Sequence, residues 1–171
     1  MIIQMRKSKN DGLLELIEKL PNNIIMGEVG CYAGESTKLF MKSNKIKKLY
    51  AIDPWQNGYD DTDPASNSNM ELVEKKFNNN VENYNVEKLK MLFENSIDKL
   101  PPLDVIYIDG NHQYEAVLRD IKLSQKIVKP NGIISGHDYR KQNPIVRAVN
   151  EIFGKPLFIF SDTSWLVYNK I

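Results

Sequence analysis

The residues best suited to chemistry in this sequence are two aspartates and two histidines. Asp109 and Asp138 each follow an apolar stretch that predicts a β-strand, and His112 and His137, the only histidines of the chain, lie close to them. If the two strands are neighbours, about 4.8 Å apart, the carboxylates converge at one edge of a sheet. Two like charges so placed require a cation or a shared proton. The alternative for each histidine taken alone is a capping residue.

Carboxylate oxygens with one imidazole nitrogen suit a divalent ion such as Mg²⁺ or Mn²⁺. We therefore predict a metal site formed by Asp109, His137 and Asp138. His112 lies three residues after Asp109, at the start of the next predicted helix. Its side chain should therefore face the same ligand cleft, at the edge of the sheet where the two aspartates lie.

A second candidate site lies earlier, where an apolar run from Ile24 reaches Glu28 and two glycines, Gly30 and Gly34, spaced Gly-x-x-x-Gly. Glycine accepts positive φ and lets a ligand approach the backbone, and the start of the following helix attracts an anionic group. Asp53 ends the second apolar strand, where a βαβ nucleotide site binds ribose hydroxyls. We predict a nucleotide-type site; the alternative is an ordinary strand-turn-helix with a solvated aspartate.

Strands that alternate with helices must position these residues. This alternation over the first 135 residues predicts parallel βαβ units with helices on both faces. The last two strands, Leu157–Phe160 and Trp165–Tyr168, are joined by too short a turn to be parallel. The predicted fold is α/β, with a doubly wound, Rossmann-like, mostly parallel sheet and an antiparallel C-terminal strand pair. We expect a single domain over residues 1–171, with a covering helix within residues 1–21.

The segment that follows Asp53 is long and rich in turn residues. Its first part, Pro54–Pro64, contains Trp55, Tyr59 and three acids, and the whole loop spans residues 54–69. A loop of this length in a compact domain is usually a lid or a binding loop. We predict that it closes over a ligand through Trp55 and Tyr59; the alternative is a disordered surface insert.

The charge and composition of the chain argue against nucleic acid and membrane as binding partners. The 23 basic and 22 acidic residues give a net charge of +1, which provides no global attraction to nucleic acid or to a membrane. The single cysteine, Cys31, cannot form an internal disulfide, and no apolar run reaches the ~18 residues of a membrane span. We expect a cytoplasmic protein that binds neither nucleic acid nor membrane.

Four motifs together resemble the class I S-adenosylmethionine-dependent methyltransferases. They are Glu28-Val-Gly-x-x-x-Gly34-Glu-Ser-Thr, Ala-Ile-Asp53-Pro-Trp, Tyr-Ile-Asp109-Gly-Asn-His112-x-Tyr-Glu and Gly-x-Ile-x-Gly-His-Asp138-Tyr. More narrowly, the chain is similar to the small metal-dependent O-methyltransferases that include macrolide-sugar and polysaccharide enzymes. The resemblance covers residues 22 to 171, and the last two motifs are its more specific part.

The resemblance implies S-adenosylmethionine as the methyl donor and assigns residues to it. Glu28 would bind the methionine ammonium, Asp53 would bind the ribose diol, and Ser96 would lie near the adenine. The methionine carboxylate would lie in the glycine turn and at the start of the following helix. The full set of implied cofactor residues is Glu28, Gly30, Tyr32, Gly34, Ser36, Thr37, Asp53, Ser96 and Asp109.

The resemblance also implies metal-assisted methylation of a hydroxyl on a sugar, a polysaccharide or another diol-bearing small molecule. The metal would lower the pKa of the hydroxyl. His112 would be the general base, because its pKa lies near operating pH, and Asp109 completes the catalytic pair. The acceptor pocket is expected to be open or to be completed by another subunit of a homo-oligomer. The alternatives are a non-catalytic nucleotide-binding or S-adenosylmethionine-binding module and an NAD-dependent Rossmann oxidoreductase.

Overall fold

The computed structural model describes residues 11–141 and 143–171, and the first ten residues of the predicted covering segment lie outside these ranges. Within them, seven strands form one sheet and five α-helices pack on it. The strands are β1 (Ile24–Val29), β2 (Ile46–Asp53), β3 (Val86–Lys90), β4 (Leu103–Ile108), β5 (Val128–Gly136), β6 (Phe158–Ile159) and β7 (Trp165–Tyr168). The helices are α1 (Asp11–Lys19), α2 (Glu35–Lys42), α3 (Met70–Val81), α4 (Tyr114–Ile127) and α5 (Pro144–Phe153). None of these helices is long and apolar enough to cross a membrane.

The strand order of the sheet is β3-β2-β1-β4-β5-β7-β6. The first five strands are parallel, and β7 pairs in the antiparallel sense with both β5 and β6. The order reverses between β1 and β4, which is where open parallel sheets bind their ligands. β4 and β5 are neighbours, with Ile108 paired to Gly136. The predicted fold is confirmed, and the strands that precede Asp109 and Asp138 are adjacent.

Alternating side chains place β4 between two layers of helices. Val105 and Tyr107 pack with α1, α2 and α3 on one face, whereas Ile106 and Ile108 pack with α4 and α5 on the other. This is the period of two that a strand requires. Leu16 of α1 is fully buried in the first layer, so α1 covers the sheet beside β1.

Two strands have different bounds from those that the sequence predicts. The apolar residues of Leu89–Phe93 predict a strand there, but β3 is Val86–Lys90, because it is an edge strand with a polar face and shows weak apolar alternation. Pro130, Asn131 and Gly132 predict a turn before a strand that begins at Ile133. Instead, β5 already begins at Val128, and these three residues form an irregularity inside the strand, with Asn131 at φ 63°. A bulge of this kind interrupts the pattern by which a strand is recognised.

Candidate active site

The carboxyl ends of the parallel strands open into one large cleft. Its volume is about 1560 Å³, whereas a site for one drug-sized ligand measures roughly 300–1,000 Å³. The cleft is therefore large enough for two ligands side by side. The predicted site residues in its lining are Gly30, Tyr32, Ser36, Asp53, Asp109, His112, His137 and Asp138.

The two glycines of the turn after β1 are required by the protein's own packing. Gly30 and Gly34 have φ angles of 82° and 77°, in the left-handed region. A Cβ on Gly30 would lie 2.1 Å from the carbonyl oxygen of Asp109, and one on Gly34 would lie 2.8 Å from the ring of Phe77. Their small size lets the ends of β1 and β4 approach and lets α3 pack against the turn.

Glu28, near the end of β1, is fully buried and binds the first turn of α2. Its carboxylate accepts hydrogen bonds from the hydroxyls of Ser36 at 2.5 Å and Thr37 at 2.6 Å. Burial raises the pKa of Glu28 to about 7, in spite of these two hydrogen bonds. The hydroxyls that the resemblance assigns to the cofactor carboxylate are therefore held by Glu28 in this structure.

Asp53 ends β2 and fixes the glycine turn through its carboxylate. Oδ2 accepts hydrogen bonds from the backbone N–H groups of Cys31 at 3.0 Å and Tyr32 at 2.9 Å, and Oδ1 accepts one from Trp55 at 2.7 Å. Burial raises the pKa of Asp53, and these backbone bonds reduce the effect only in part. A carboxylate has about four lone-pair sites, so with three of them used Asp53 can accept a hydrogen bond from one ribose hydroxyl while it supports the backbone of the turn.

Trp55 belongs to the core and not to a lid. Its side chain is buried, its ring packs on Phe77 with centroids 4.8 Å apart, and its Nε1–H donates to the carbonyl of Tyr32 at 2.9 Å. Its φ of 43° is unusual for a large residue and is held by the bond to Asp53. The prediction that Trp55 closes over a ligand is wrong, because the chain folds back and packs the ring beneath the loop.

The rest of the loop is attached to the segment before α4. The carbonyl of Tyr59 accepts a hydrogen bond from Asn111 Nδ2 at 2.7 Å, and Asp60 Oδ2 accepts one from the backbone N–H of His112, also at 2.7 Å. The N–H of Asp60 in turn donates to the hydroxyl of Ser66 at 3.0 Å. The loop is thus folded against the cleft, and the alternative of a disordered insert does not describe it.

The four residues that the sequence singles out form one cluster at the ends of β4 and β5. His112 Nε2 lies 3.2 Å from Asp138 Oδ2 and 3.7 Å from Asp109 Oδ1. His137 Nδ1 lies 3.7 Å from Asp109 Oδ1 and 3.4 Å from Asp138 Oδ1. Arg140 adds a guanidinium nitrogen 2.7 Å from Asp138 Oδ1. Imidazole and guanidinium nitrogens therefore approach the two carboxylates from several sides.

These contacts change the protonation of His112. Hydrogen bonding to Asp109, then to Asp138 and to Asp60, raises the pKa of His112 to about 11, against the opposing effect of burial. Burial favours a higher pKa for Asp138, but the bond from His112 and nearby positive charges bring that pKa below its usual value. The expectation that the pKa of His112 lies near operating pH is wrong for this arrangement, because three carboxylates converge on the ring. The carboxylates therefore favour the protonated form of the ring.

The same cluster fits a divalent ion. Asp109, His137 and Asp138 each offer one ligand atom, and these three atoms lie within 4.8 Å of one another. These are the three ligands that the sequence predicts. Carboxylate oxygens with an imidazole nitrogen form a donor set that first-row divalent ions accept, with Mn²⁺ as one candidate.

Ser96 does not lie where the resemblance places it. Ser96 is fully buried, its hydroxyl donates to the carbonyl of Phe93 at 2.7 Å, and it is absent from the described lining of the cleft. Its predicted place near the adenine is therefore not supported.

Asp60, which no motif singles out, contacts His112. Its neighbours Asp61 and Asp63 are also acids, so no local signal distinguishes it.

Comparison with known proteins agrees with this geometry. A family described as a methyltransferase domain matches residues 28–139. This range includes the glycine turn, Asp53, the loop and the whole cluster around Asp109. The chain therefore belongs to this methyltransferase family.

One sequence relative and several solved structures are similar to this chain. An uncharacterised protein of Acanthamoeba polyphaga mimivirus is 34% identical over 134 residues, which cover 73% of this chain but only 57% of that relative. The O-methyltransferase from Bacillus cereus in complex with SAH has a TM-score of 0.55 at 15% identity, covering 89% of this chain and 80% of that one. An O-methyltransferase from Streptomyces achromogenes involved in tomaymycin synthesis, in complex with SAM, has a TM-score of 0.58 at 12% identity, covering 86% and 67%.

The structural similarities concern the fold, and the family match concerns the sequence. Together they confirm the predicted fold and the resemblance to methyltransferases. The narrower resemblance to small O-methyltransferases fits these neighbours.

Proposed function

We propose that this chain transfers a methyl group from S-adenosylmethionine to a hydroxyl of a sugar, a polysaccharide or another diol-bearing small molecule, with a divalent metal ion. The observation that carries the proposal is the cluster of Asp109, His112, His137 and Asp138, which shares one cleft with the turn after β1. A turn that suits the donor thus lies beside groups that suit a metal ion and a proton.

The donor would lie along the ends of β1 and β2. S-adenosylmethionine, when bound, supplies a methyl group on a positively charged sulfur. Asp53 holds the backbone of the turn between Gly30 and Gly34, and Glu28 holds the start of α2. Asp53 also provides negative charge that suits a sulfonium group, and Glu28, with a pKa of about 7, would provide it to an ammonium group once it has released its proton.

The acceptor would lie beside the ends of β4 and β5. A divalent ion held by Asp109, His137 and Asp138 would, when bound, supply Lewis acidity at a hydroxyl oxygen. It would also place positive charge between the carboxylates, where the protonated His112 ring supplies that charge in its absence. The positive charge of the ion would weaken the hold of the two carboxylates on the proton of His112 Nε2, and the neutral ring would then take the hydroxyl proton at this atom. Asp109 Oδ1 lies 3.7 Å from a nitrogen of each histidine, so it links the metal-binding residues to the proton-accepting ring.

The charge of the cleft favours a neutral acceptor. The chain as a whole carries a net charge of +1, but the described lining of the cleft has one arginine, Arg140, against a larger group of acids. An acceptor rich in phosphate would be repelled by this lining, which supports a sugar or another neutral diol over a nucleic acid. The acids are Glu35, Asp53, Asp60, Asp63, Asp109, Glu115, Asp138 and Asp162.

Two other functions remain as outcomes of the test. A module that binds S-adenosylmethionine without catalysis would have no need for a cluster that fits both a metal ion and a proton. An NAD-dependent oxidoreductase is disfavoured by membership of the methyltransferase family. S-adenosylmethionine, and not NAD, should raise the melting temperature.

The direct test is transfer of an isotopically labelled methyl group to sugar and catechol acceptors. Label should appear on a hydroxyl in the presence of Mg²⁺ or Mn²⁺, and it should be lost in Asp109→Asn. Asp61→Asn should keep full transfer, because Asp61 is an exposed acid outside the described lining. Full transfer in excess chelator would contradict the metal, and binding of the donor without transfer to any hydroxyl would indicate a binding module.

A further inference from the structure

Asp60 is a buried acid in the loop, and both of its carboxylate oxygens are engaged. Its side chain is only 4% exposed. Oδ1 accepts hydrogen bonds from the backbone N–H of Thr62 at 2.9 Å and from its hydroxyl at 2.6 Å. Oδ2 accepts one from the backbone N–H of His112 at 2.7 Å and lies 2.9 Å from Nδ1 of the same residue. The loop therefore presents a fixed carboxylate to one side of the His112 ring.

The other side of the ring faces the cluster. Nε2 of His112 lies 3.2 Å from Asp138 Oδ2 and 3.7 Å from Asp109 Oδ1. A carboxylate that accepts a hydrogen bond at Nδ1 determines the ring's orientation, and it keeps the proton of the neutral ring on Nδ1. The lone pair of the neutral ring then belongs to Nε2.

We propose that Asp60 is the positioning residue for His112: it holds the Nδ1–H, so that Nε2 faces the acceptor side of the cleft. This inference deepens the proposed function and rests on it for the catalytic consequence. The reaction is a direct displacement in which the acceptor oxygen forms a bond to the methyl carbon, and the carbon–sulfur bond breaks with its electron pair left on sulfur. The hydroxyl proton passes to the lone pair on Nε2 of the neutral ring, while Asp60 stays ionised throughout.

Hydrogen bonds attach the loop to the segment that contains the ring. Asn111 Nδ2 donates to the carbonyl of Tyr59 at 2.7 Å, and Ser66 receives the N–H of Asp60 at 3.0 Å. The segment around Asp60 is thus attached to Asn111 and His112 by three separate hydrogen-bonding groups. Displacement of the loop would release the Nδ1 side of the ring.

A purely structural role for Asp60 would be to cap the backbone N–H of His112. Asp60→Asn separates the two roles, because an amide oxygen can still accept that N–H, whereas an amide is a poorer partner for Nδ1–H than a carboxylate. Asp61→Asn is the matched control, with the same loss of charge at the next residue, which is exposed.

The kinetic experiment compares Asp60→Asn, His112→Ala and the double variant in labelled-methyl transfer with a sugar or catechol acceptor. Asp60→Asn should lower kcat by about 10²-fold or more, with KM and the affinity for S-adenosylmethionine changed by no more than a few fold. The double variant should be no slower than His112→Ala, because both changes disable the same ring. Losses that multiply in the double variant, or a kcat that Asp60→Asn leaves unchanged, would overturn the proposal.

A second measurement does not depend on turnover. With two histidines in the chain, His137→Gln identifies the imidazole signals of His112 in ¹H–¹⁵N NMR spectra. The Nδ1 proton of His112 should be observable and protected from exchange in the parent protein and in Asp61→Asn, and it should be lost in Asp60→Asn. Persistence of this signal in Asp60→Asn would overturn the positioning role. If no acceptor is methylated but the signal depends on Asp60, the proposed function fails while the positioning of the ring stands.

Discussion

Glu28 should make the free energy of unfolding fall as the pH rises through the mildly acidic range. Burial raises its pKa from 4.5 to about 7 in the folded protein. Between these values the unfolded chain has released the proton and the folded protein keeps it, so stability decreases with rising pH. Each unit of pKa difference is worth ~1.4 kcal/mol, so the full loss is on the order of 3 kcal/mol above neutral pH.

Glu28→Gln isolates this effect. Other groups titrate in the same range, among them Asp120, whose pKa is raised by burial to about 7. The difference between the parent protein and the variant cancels these groups. Glutamine keeps the shape and can accept from one hydroxyl of the Ser36 and Thr37 pair while it donates to the other. Urea unfolding measures the free energy of unfolding of both proteins. From about pH 5 to about pH 8, the value for the variant should rise relative to that of the parent protein by about 3 kcal/mol. A difference that stays constant over this range would refute the burial argument.

The cofactor should couple to the same proton. If the ammonium of S-adenosylmethionine lies beside Glu28, the positive charge lowers the pKa of Glu28 and the complex releases a proton. The affinity should then increase as the pH rises through neutrality, and it should be less sensitive to pH in Glu28→Gln. Calorimetry in buffers of different ionisation enthalpy counts the released protons. No release at neutral pH would place the ammonium away from Glu28.

Four further changes test other parts of the site. Asp53→Ala should weaken S-adenosylmethionine binding about tenfold or more, as measured by calorimetry. It should also destabilise the fold by about 1–3 kcal/mol, because three backbone N–H groups lose their acceptor. An unchanged free energy of unfolding in urea would contradict this loss of stability. Asp109→Asn or Asp138→Asn should lower the calorimetric affinity for Mn²⁺, with activity partly restored at high Mn²⁺, and an unchanged affinity would remove that residue from the metal site. Trp55→Ala should cost about 3–5 kcal/mol in urea unfolding, whereas a negligible cost would contradict its place in the core. Protease cleavage within the loop that contains Asp60 should slow when S-adenosylmethionine is added, and equal rates would count against closure.

The fold could be predicted because the central strands carry a strong signal. β1 and β4 are largely buried on both faces and appear in the sequence as apolar runs that end in acids or glycines. The adjacency that brings Asp109 to Asp138 follows from the rule that consecutive βαβ strands are commonly neighbours. The metal-site prediction could therefore be made from two strand ends and the residues that follow them.

The parts that could not be predicted depend on contacts between distant residues. Asp60 and His112 are 52 positions apart, and nothing around Asp60 distinguishes it from the other acids of its loop. Trp55 looks like a lid residue in a turn-rich segment, yet its burial depends on Phe77, which lies in α3. The pKa of His112 requires the positions of three carboxylates from three segments of the chain. Spacing along the sequence contains none of this information.

Three acids from three elements hold one imidazole ring, and on the proposed function this arrangement makes the loop part of the catalytic cluster. Asp60 comes from the loop after β2, Asp109 from the end of β4 and Asp138 from the end of β5. If the loop moves to admit a ligand, the ring loses its partner on Nδ1 and keeps those on Nε2. A ring free on the Nδ1 side could turn toward the two remaining carboxylates, where it would compete with any cation for the same oxygens. On the proposed function, closure of the loop would restore the ring's orientation, so the proton-accepting geometry would be complete only when the cleft is covered.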